Sequence, residues 1–488
     1  MQGPEQEIEE IKTTVARFFP VYEVRVRPDL LTFFVHADAS TLDANFDELR
    51  KLMIVKKYIP FITKEKGEHL ILIQRRPQMR AMGTRVNLAL LCLTIVTTII
   101  AGAVNWAGYD GLPIMDARSF AFGALFFALP LLAILGIHEM GHYITAKKYS
   151  VAASLPFFIP SIPPLGTFGA VISMRDPIPN RKALLDIGIS GPLFGLAVAI
   201  PVTIIGLFLI GADPKPVTIS GGDTVVLSSL LYDALTFFVP VPAGVRFHPT
   251  AFAGWVGLFV TALNLLPAGQ LDGGHVARAI LGDKARYLSY FSLISLLFLG
   301  LAFPEASNWL IIAILILVLG ARHPPPLNDI TKLKSSRVLV GVVAAAVFAG
   351  TFIPVPFASI PVEASFNYVA TQPLSVNVTD GGVATASFTI VNNGNVPAEL
   401  NLTLRETQNL NNINLTVKFL HYSATSENGT VNGSAFNIAL GLDESVNVTL
   451  IVDARQYNSS LLVPWTLRVH TSMLDGPSED LMVTIRVV

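Results

Sequence analysis

Charge is what this sequence has least of. Only 14% of its 488 residues are Asp, Glu, Lys or Arg while 52% are hydrophobic, where soluble proteins carry about a quarter charged. With a mean hydropathy of +0.55, an ordinary soluble protein is excluded and a lipid bilayer becomes the expected surroundings. Net charge is scarce too: a formal value of -1, with no basic stripe interleaved with aromatics, excludes nucleic acid as a partner. The single cysteine, Cys92, lies in an apolar run, so no intrachain disulfide can form and cysteine usage does not reveal the redox compartment. The opening residues MQGPEQEIEEIK contain no apolar core. They are not expected to act as a secretory signal, so any external part is expected to cross the membrane on internal spans.

The pattern divides the chain into three parts: 1–82, 83–356 and 361–488. In the first, helix-compatible stretches (Glu5 to Phe18, Thr41 to Lys56) alternate with strand-like ones (Val21 to Val26, Leu31 to Val35, Ile59 to Thr63, His69 to Ile73), which predicts a small α+β domain. The second is a series of long apolar runs near 86–107, 118–146, 184–211, 250–268, 286–303, 308–322 and 337–354. Each approaches the roughly 20 residues needed to span a bilayer. The run Leu227 to Val239 is short and followed by Pro and Gly, and reads as re-entrant or interfacial. Past Pro361, β-branched residues alternate between Asn, Gly and Asp, as in Ala384 to Val391 and Val446 to Val452, the pattern of an all-β sandwich. The expected fold is therefore a polytopic α-helical membrane protein of about seven spans, with an N-terminal α+β domain and a C-terminal sandwich.

Orientation follows from where Lys and Arg cluster, because cytoplasmic loops are enriched in them. Lys64, Arg75 and Arg85 precede the first span, and Lys147, Lys148, Arg278, Lys284, Lys332 and Arg337 fall in alternate loops. This predicts a cell-membrane protein with its N-terminus in the cytoplasm and its C-terminus outside. Asn-x-Ser/Thr triplets begin at Asn377, Asn401, Asn414, Asn428, Asn432, Asn447 and Asn458, and none occurs before residue 360. An Asn- and Thr-rich sandwich can generate such triplets by chance, yet their confinement to the region that charge places outside agrees with that orientation.

The second span ends in Ile137-His138-Glu139-Met140-Gly141-His142-Tyr143. Residues four apart on a helix lie one turn above each other, so both imidazoles can grip one zinc ion. Glu139 can then take a proton from a water on that metal as it attacks a peptide carbonyl. Two histidines and a carboxylate in an apolar span are costly unless they serve a function. Such a pair needs a third ligand. After the fourth span comes Asn264-Leu265-Leu266-Pro267-Ala268-Gly269-Gln270-Leu271-Asp272-Gly273-Gly274-His275, where the proline and glycines predict a loosened helix at membrane depth, tolerated only against a cavity or within protein. The second and fourth spans both run outside to inside, which brings their ends together. Asp272 is the expected third ligand, with His275 a rival for that place. Asn264 could donate to an oxyanion or orient a substrate.

HExxH on one membrane helix and NxxPxxxxDG on a later one resemble the site-2 protease family of intramembrane metalloproteases. Together with Gly166-Thr167-Phe168-Gly169-Ala170-Val171, Gly191-Pro192 and the α+β N-terminal region, the pattern looks most like the archaeal members and the plant chloroplast gravitropism-deficiency group. The resemblance covers about residues 20–282. It implies His138, His142 and Asp272 as zinc ligands, Glu139 as general base, Asn264 as a substrate-orienting group, and transmembrane proteins as substrates. Gly269 stands where many members have a second proline, and no PDZ or CBS insertion is apparent.

The loop Ala152 to Pro179, rich in Pro and Gly, holds the apolar run Phe168 to Ile172. An edge strand there, with Gly166, Phe168 and Gly169 as candidate substrate-binding residues, could pair with an unwound substrate segment. Packing of the loop into the membrane is the competing reading. Two other functions stay open: a catalytically silent scaffold or receptor, which would not need Glu139, and a metal transporter, which would need further acidic or His residues along its spans.

Overall fold

The computed structural model describes residues 4–488 except 28–29, 77–83, 218–219, 243, 321–322, 370–373, 407–414, 425–427, 457–463 and 475. The chain divides into two compact units, Met1–Val217 with Val226–Phe357, and Thr218–Val225 with Ala358–Val488.

The larger unit begins with α1 (Pro4–Ala16), β1 (Val21–Arg27), β2 (Leu30–Val35), α2 (Leu42–Val55), β3 (Tyr58–Glu65) and β4 (Glu68–Arg75). The strands form an antiparallel sheet in the order β1-β2-β4-β3. Its period-2 apolar face, with Phe33, Ile62, Ile71 and Ile73, packs on Ile11 and Val15 of α1 and Phe46, Leu49 and Met53 of α2. All two helices and four strands expected in this region are present, with ends shifted by a residue or two.

Helices follow: α3 (Thr84–Asp110), α4 (Ala117–Gly123), a π-turn (Ala124–Ala128) and α5 (Leu129–Lys148). A hairpin of β5 (Phe157–Pro160) and β6 (Thr167–Val171) precedes α6 (Arg181–Ala212), α7 (Leu230–Phe238), α8 (Pro249–Leu265), α9 (Asp272–Leu281), α10 (Ala285–Ala302), α11 (Asn308–Leu319) and α12 (Ser335–Thr351). Helix is present at every expected span. Four stretches, Arg85–Asp110, Ala117–Lys148, Arg181–Ala212 and Asp272–Ala302, are long and apolar enough to cross a membrane, whereas Pro249–Leu265, Asn308–Val318 and Ser335–Thr351 are shorter. The run expected over 308–322 stops early because Gly320 takes φ 94°, a conformation that ends a helix. α7 occupies the short run read as re-entrant or interfacial.

The N-terminal sheet and the helices share one unit because specific bonds join them. Leu327 is buried in the sheet's core, and its carbonyl accepts from Ile62 N–H of β3 at 2.9 Å while its own N–H donates to Ile178 O at 2.9 Å. Asn328 donates to Asp43 at 2.7 Å, and Arg76 pairs with Asp176.

In the smaller unit, β7 (Phe366–Val369), β8 (Leu374–Val378), β9 (Val383–Asn392), β10 (Ala398–Glu406), β11 (Thr416–Ala424), β12 (Asn428–Gly433), β13 (Ala435–Leu440), β14 (Ser445–Asp453), β15 (Trp465–Met473) and β16 (Ser478–Val487) make two five-stranded sheets, ordered β8-β16-β15-β10-β13 and β12-β11-β14-β9-β7. Alternate residues turn inward, so that Phe388 faces Val448 and Ile390 faces Val446 across the β9–β14 ladder. Asn392 is fully buried because its side chain bonds Val396 O, Gly441 O and Gly394 N–H, pinning the VNNGN turn. Asn377, Asn401, Asn428, Asn432 and Asn447 are exposed on this unit, whereas Asn414 and Asn458 lie outside the described residues.

Candidate metal centre

Helix α5 brings the first donors together. Lys147 and Lys148 occupy its last turn, where they complement the helix dipole. The carbonyls of Tyr149 and Ser150 just beyond accept from the buried Arg50 guanidinium at 3.3 and 3.5 Å. Arg50 itself pairs with Asp47 at 2.9 Å. This gives donors to carbonyls at the end of α5, where the helix itself supplies none. The Tyr149 hydroxyl donates to Asp186 of α6, which also pairs with Arg337 of α12. The same end of α5 is thus tied to the N-terminal domain and to two later helices.

On α5, His138, Glu139 and His142 are all buried, and their ligand atoms lie within 4.8 Å of one another. Asp272, the first residue of α9, joins them: its Oδ2 is 3.3 Å from His138 Nε2 and 3.1 Å from His142 Nε2. The two Nε2 atoms are 3.3 Å apart. A tetrahedral zinc site with bonds of about 2.0–2.1 Å has ligand atoms separated by about 3.3 Å, so this triangle has the dimensions of one face of such a site. Nδ1 of His142 lies 2.8 Å from the Ile187 carbonyl. Donation to that oxygen puts the proton on Nδ1 and leaves the Nε2 lone pair for a metal. Among the described residues, Glu139 and Asp272 form ion pairs with histidines alone and with no Lys or Arg. Two carboxylates and two imidazoles brought together in an apolar interior, with no Lys or Arg paired to them, make a donor set that fits a divalent cation.

Glycines of α6 leave room for the rings. A Cβ on Gly191 would fall 2.0 Å from His142 Nε2, and one on Gly195 3.0 Å from His138 Nδ1. The loosened stretch expected before Asp272 is present: α8 ends at Leu265, residues 266–271 are not helical, and α9 starts at Asp272. Asn264, one residue before the end of α8, sets its Nδ2 3.3 Å from His138 Nε2. Glu139 Oε1 is 3.9 Å from the same nitrogen, and its carboxylate also faces the N–H of Ile172, just past β6. His275 lies elsewhere: its Nδ1 is 3.1 Å from Leu271 O and its ring meets His323 edge-on at 4.3 Å.

The three loop residues differ in setting. Gly166, at φ 76°, is buried against α3, where its carbonyl accepts from Thr97 Oγ1 at 2.7 Å. Phe168 is 79% exposed, and a Cβ on Gly169 would meet open space. Among the described residues β6 pairs only with β5, leaving its other edge free. Two features of the centre escaped sequence reasoning. The Ile187 carbonyl is a backbone group with no residue signature, and the ring-accommodating role of Gly191 and Gly195 shows only once α6 is laid against α5.

Residues 126–302 match the model of Peptidase family M50. The chain is 34% identical over 252 residues to "Probable zinc metalloprotease EGY1, chloroplastic" of Arabidopsis thaliana, covering 48% of this chain and 44% of that protein. The counterpart from Oryza sativa subsp. japonica is 34% identical over 249 residues, covering 48% and 41%. "Probable zinc metalloprotease EGY2, chloroplastic" of Arabidopsis thaliana is 30% identical over 259 residues, covering 51% and 43%. The chain thus spans less than half the length of these curated relatives.

Proposed function

We propose, from the match of residues 126–302 to the model of Peptidase family M50, that this chain is a zinc metalloendopeptidase that hydrolyses transmembrane or membrane-proximal segments of other membrane proteins. The carrying observation is the triangle of donor atoms at 3.1–3.3 Å with the Glu139 carboxylate beside it. In this reading His138, His142 and Asp272 hold the zinc. When bound, zinc supplies Lewis acidity, which acidifies a water and polarises a peptide carbonyl.

The protein's own groups do the rest. Glu139 accepts the proton of the attacking water and returns it to the leaving amine. The Asn264 amide donates to the carbonyl oxygen as negative charge develops on it. A helical substrate hides its peptide bonds, and the free edge of β6 gives an unwound segment backbone partners next to Glu139. Phe168 and Gly169 then face the substrate, while Gly166 seats the hairpin on α3. Replacing Phe168 by Gly without any change in cleavage would remove strand addition from this account. Cleavage near the cytoplasmic side, an N-terminus in the cytoplasm and the sandwich outside follow from the charge asymmetry of the loops.

The test compares the full chain with its Glu139→Gln variant, reconstituted in lipid vesicles with a panel of labelled transmembrane peptides. Both should bind zinc, and cleavage should fall by about 10²–10⁴-fold in the variant, the range of a lost general base. Zinc without cleavage by the parent would favour a scaffold, and metal flux into the vesicles a transporter.

A further inference from the structure

A second polar site lies at the corner between α9 and α10. A cavity of about 160 Å³ opens there, lined by Gly274, Arg278, Asp283, Arg286, Ser289 and His323. Arg278 is only 4% exposed. Its Nη2 is committed to Asp329 at 2.6 Å and Asp283 at 3.1 Å, but among the described residues its Nη1 is buried without a hydrogen-bond partner. A buried guanidinium N–H left unpaired is costly and rare, and calls for an acceptor. The carboxylates present do not balance the site. Asp329 is shared with Arg181, whose Nε lies 2.8 Å away, so Asp329 and Asp283 stand against the guanidinium groups of Arg181, Arg278 and Arg286.

We infer that this cavity binds the phosphate ester group of an anionic ligand. Guanidinium forks match phosphate oxygens in pairs, and Ser289 and His323 add hydroxyl and imidazole groups to the wall. At about 30 Å³ per water, the space equals roughly five waters, enough for a phosphate group. The surroundings suit a lipid as its source. From the cavity, Tyr287, Phe291, Ile294 and Phe298 run along α10, each 62–67% exposed, and follow one another at helical spacing as a track for an acyl chain. The Arg286 guanidinium rests on the Tyr287 ring 4.8 Å from its centroid, the Arg and Tyr pairing typical of a membrane–water boundary, where anionic headgroups attract basic side chains. A soluble phosphate ester would satisfy the same polar groups. The cavity wall includes none of the proposed metal donors, and the inference does not depend on the protease reading.

The full chain, purified in detergent, is titrated with dioleoyl phosphatidylglycerol and with dioleoyl phosphatidylcholine under native mass spectrometry, and separately with inorganic phosphate by calorimetry. Arg278→Gln also breaks the Asp329 pair and can fail to fold, so Arg286→Gln and Ser289→Ala carry the test. Retention of phosphatidylglycerol over phosphatidylcholine, weakened about tenfold by Arg286→Gln as for one lost charge-assisted bond, is the expected result and assigns a lipid. Binding of inorganic phosphate with no preference between the lipids, weakened by the same variants, assigns a soluble phosphate ester. Absence of binding by both probes, or binding that neither variant changes, overturns the proposal.

Discussion

The two halves of the proposed metal centre are built by opposite means. His138, Glu139 and His142 lie on α5, where the helical repeat alone stacks the two imidazoles. Asp272 arrives after a stretch, 266–271, where the helix is lost, and what positions it is the absence of side chains. A Cβ on Gly273 would lie 2.1 Å from the Leu265 carbonyl oxygen, and one on Gly274 2.3 Å from that of Gly269. Both obstacles are backbone and cannot rotate aside. In the regular half, then, the helical repeat sets the donors, and of its two glycines Gly136 has room for a side chain while a Cβ on Gly141 would meet the Ser190 carbonyl oxygen at 2.8 Å. In the broken half the backbone path is itself the determinant.

The most direct way to break this comparison is Asp272→Ala. It should strip the zinc along with the activity, whereas Glu139→Gln should spare the metal. Loss of an outer hydrogen-bond partner alone costs a metal site about 10–100-fold in affinity, so loss of a ligand should exceed about 100-fold, read as zinc content after dialysis against a graded chelator. Were Asp272→Ala to keep its zinc and His275→Ala to lose it, the third ligand would have to be His275. A smaller effect is expected where the regular half meets α6. In Gly191→Ala the new methyl would sit 2.0 Å from His142 Nε2, so the ring must move off the Asp272 and His138 donors, lowering zinc affinity by about 10–100-fold. An unchanged affinity in a folded variant would mean that α6 does not fence the ring.

That contrast also explains what could be read from residues alone. HExxH declares itself because helical spacing is fixed, and Asp272 and Asn264 were reachable because proline and glycine mark where a helix must give way. Period-2 alternation exposed the sandwich and the N-terminal sheet for the same reason: β-strand geometry is local. What stayed hidden is tertiary. Nothing in the sequence says that Leu327, far along the chain, completes the core around Phe33 and Phe46, or that Arg50 meets the carbonyls closing α5. Three of the expected spans lie on helices shorter than their apolar runs suggested, because helix ends are set by backbone breaks such as Gly320 more than by hydropathy.

At its opposite end, α8 starts from a histidine cap. His248 is buried, its Nδ1 accepts from Thr250 N–H at 3.1 Å, and Trp106, Tyr109 and Phe126 surround it edge-on. Burial pushes its pKa down to about 4 from 6.5. Between these values the unfolded chain binds more protons at this residue than the folded one, so stability from it is complete above about pH 6.5 and is lost as pH falls toward 4. The thermal midpoint of the parent should therefore drop through this window more steeply than that of His248→Asn, which keeps a capping oxygen but does not titrate. Parallel curves for the two proteins would show that the cap does not sense protons.

The smallest expected effect sharpens the comparison most, because it asks whether the regular half is tolerant so close to the metal donors. Gly136 is on α5, two residues before His138, and a Cβ there would meet only the Phe158 side chain, at 3.6 Å, an ordinary contact. Gly136→Ala should keep zinc and cleavage and gain about 0.5–1 kcal/mol from helix propensity, seen as a small rise in thermal midpoint. Gly273→Ala, the same chemical change in the broken half, should lower both the midpoint and the zinc content, since the Leu265 carbonyl must shift and Asp272 is the adjacent residue. If the two substitutions proved equally damaging, the loss would reflect crowding around the metal site as a whole, and the division between a side-chain half and a backbone half would fail.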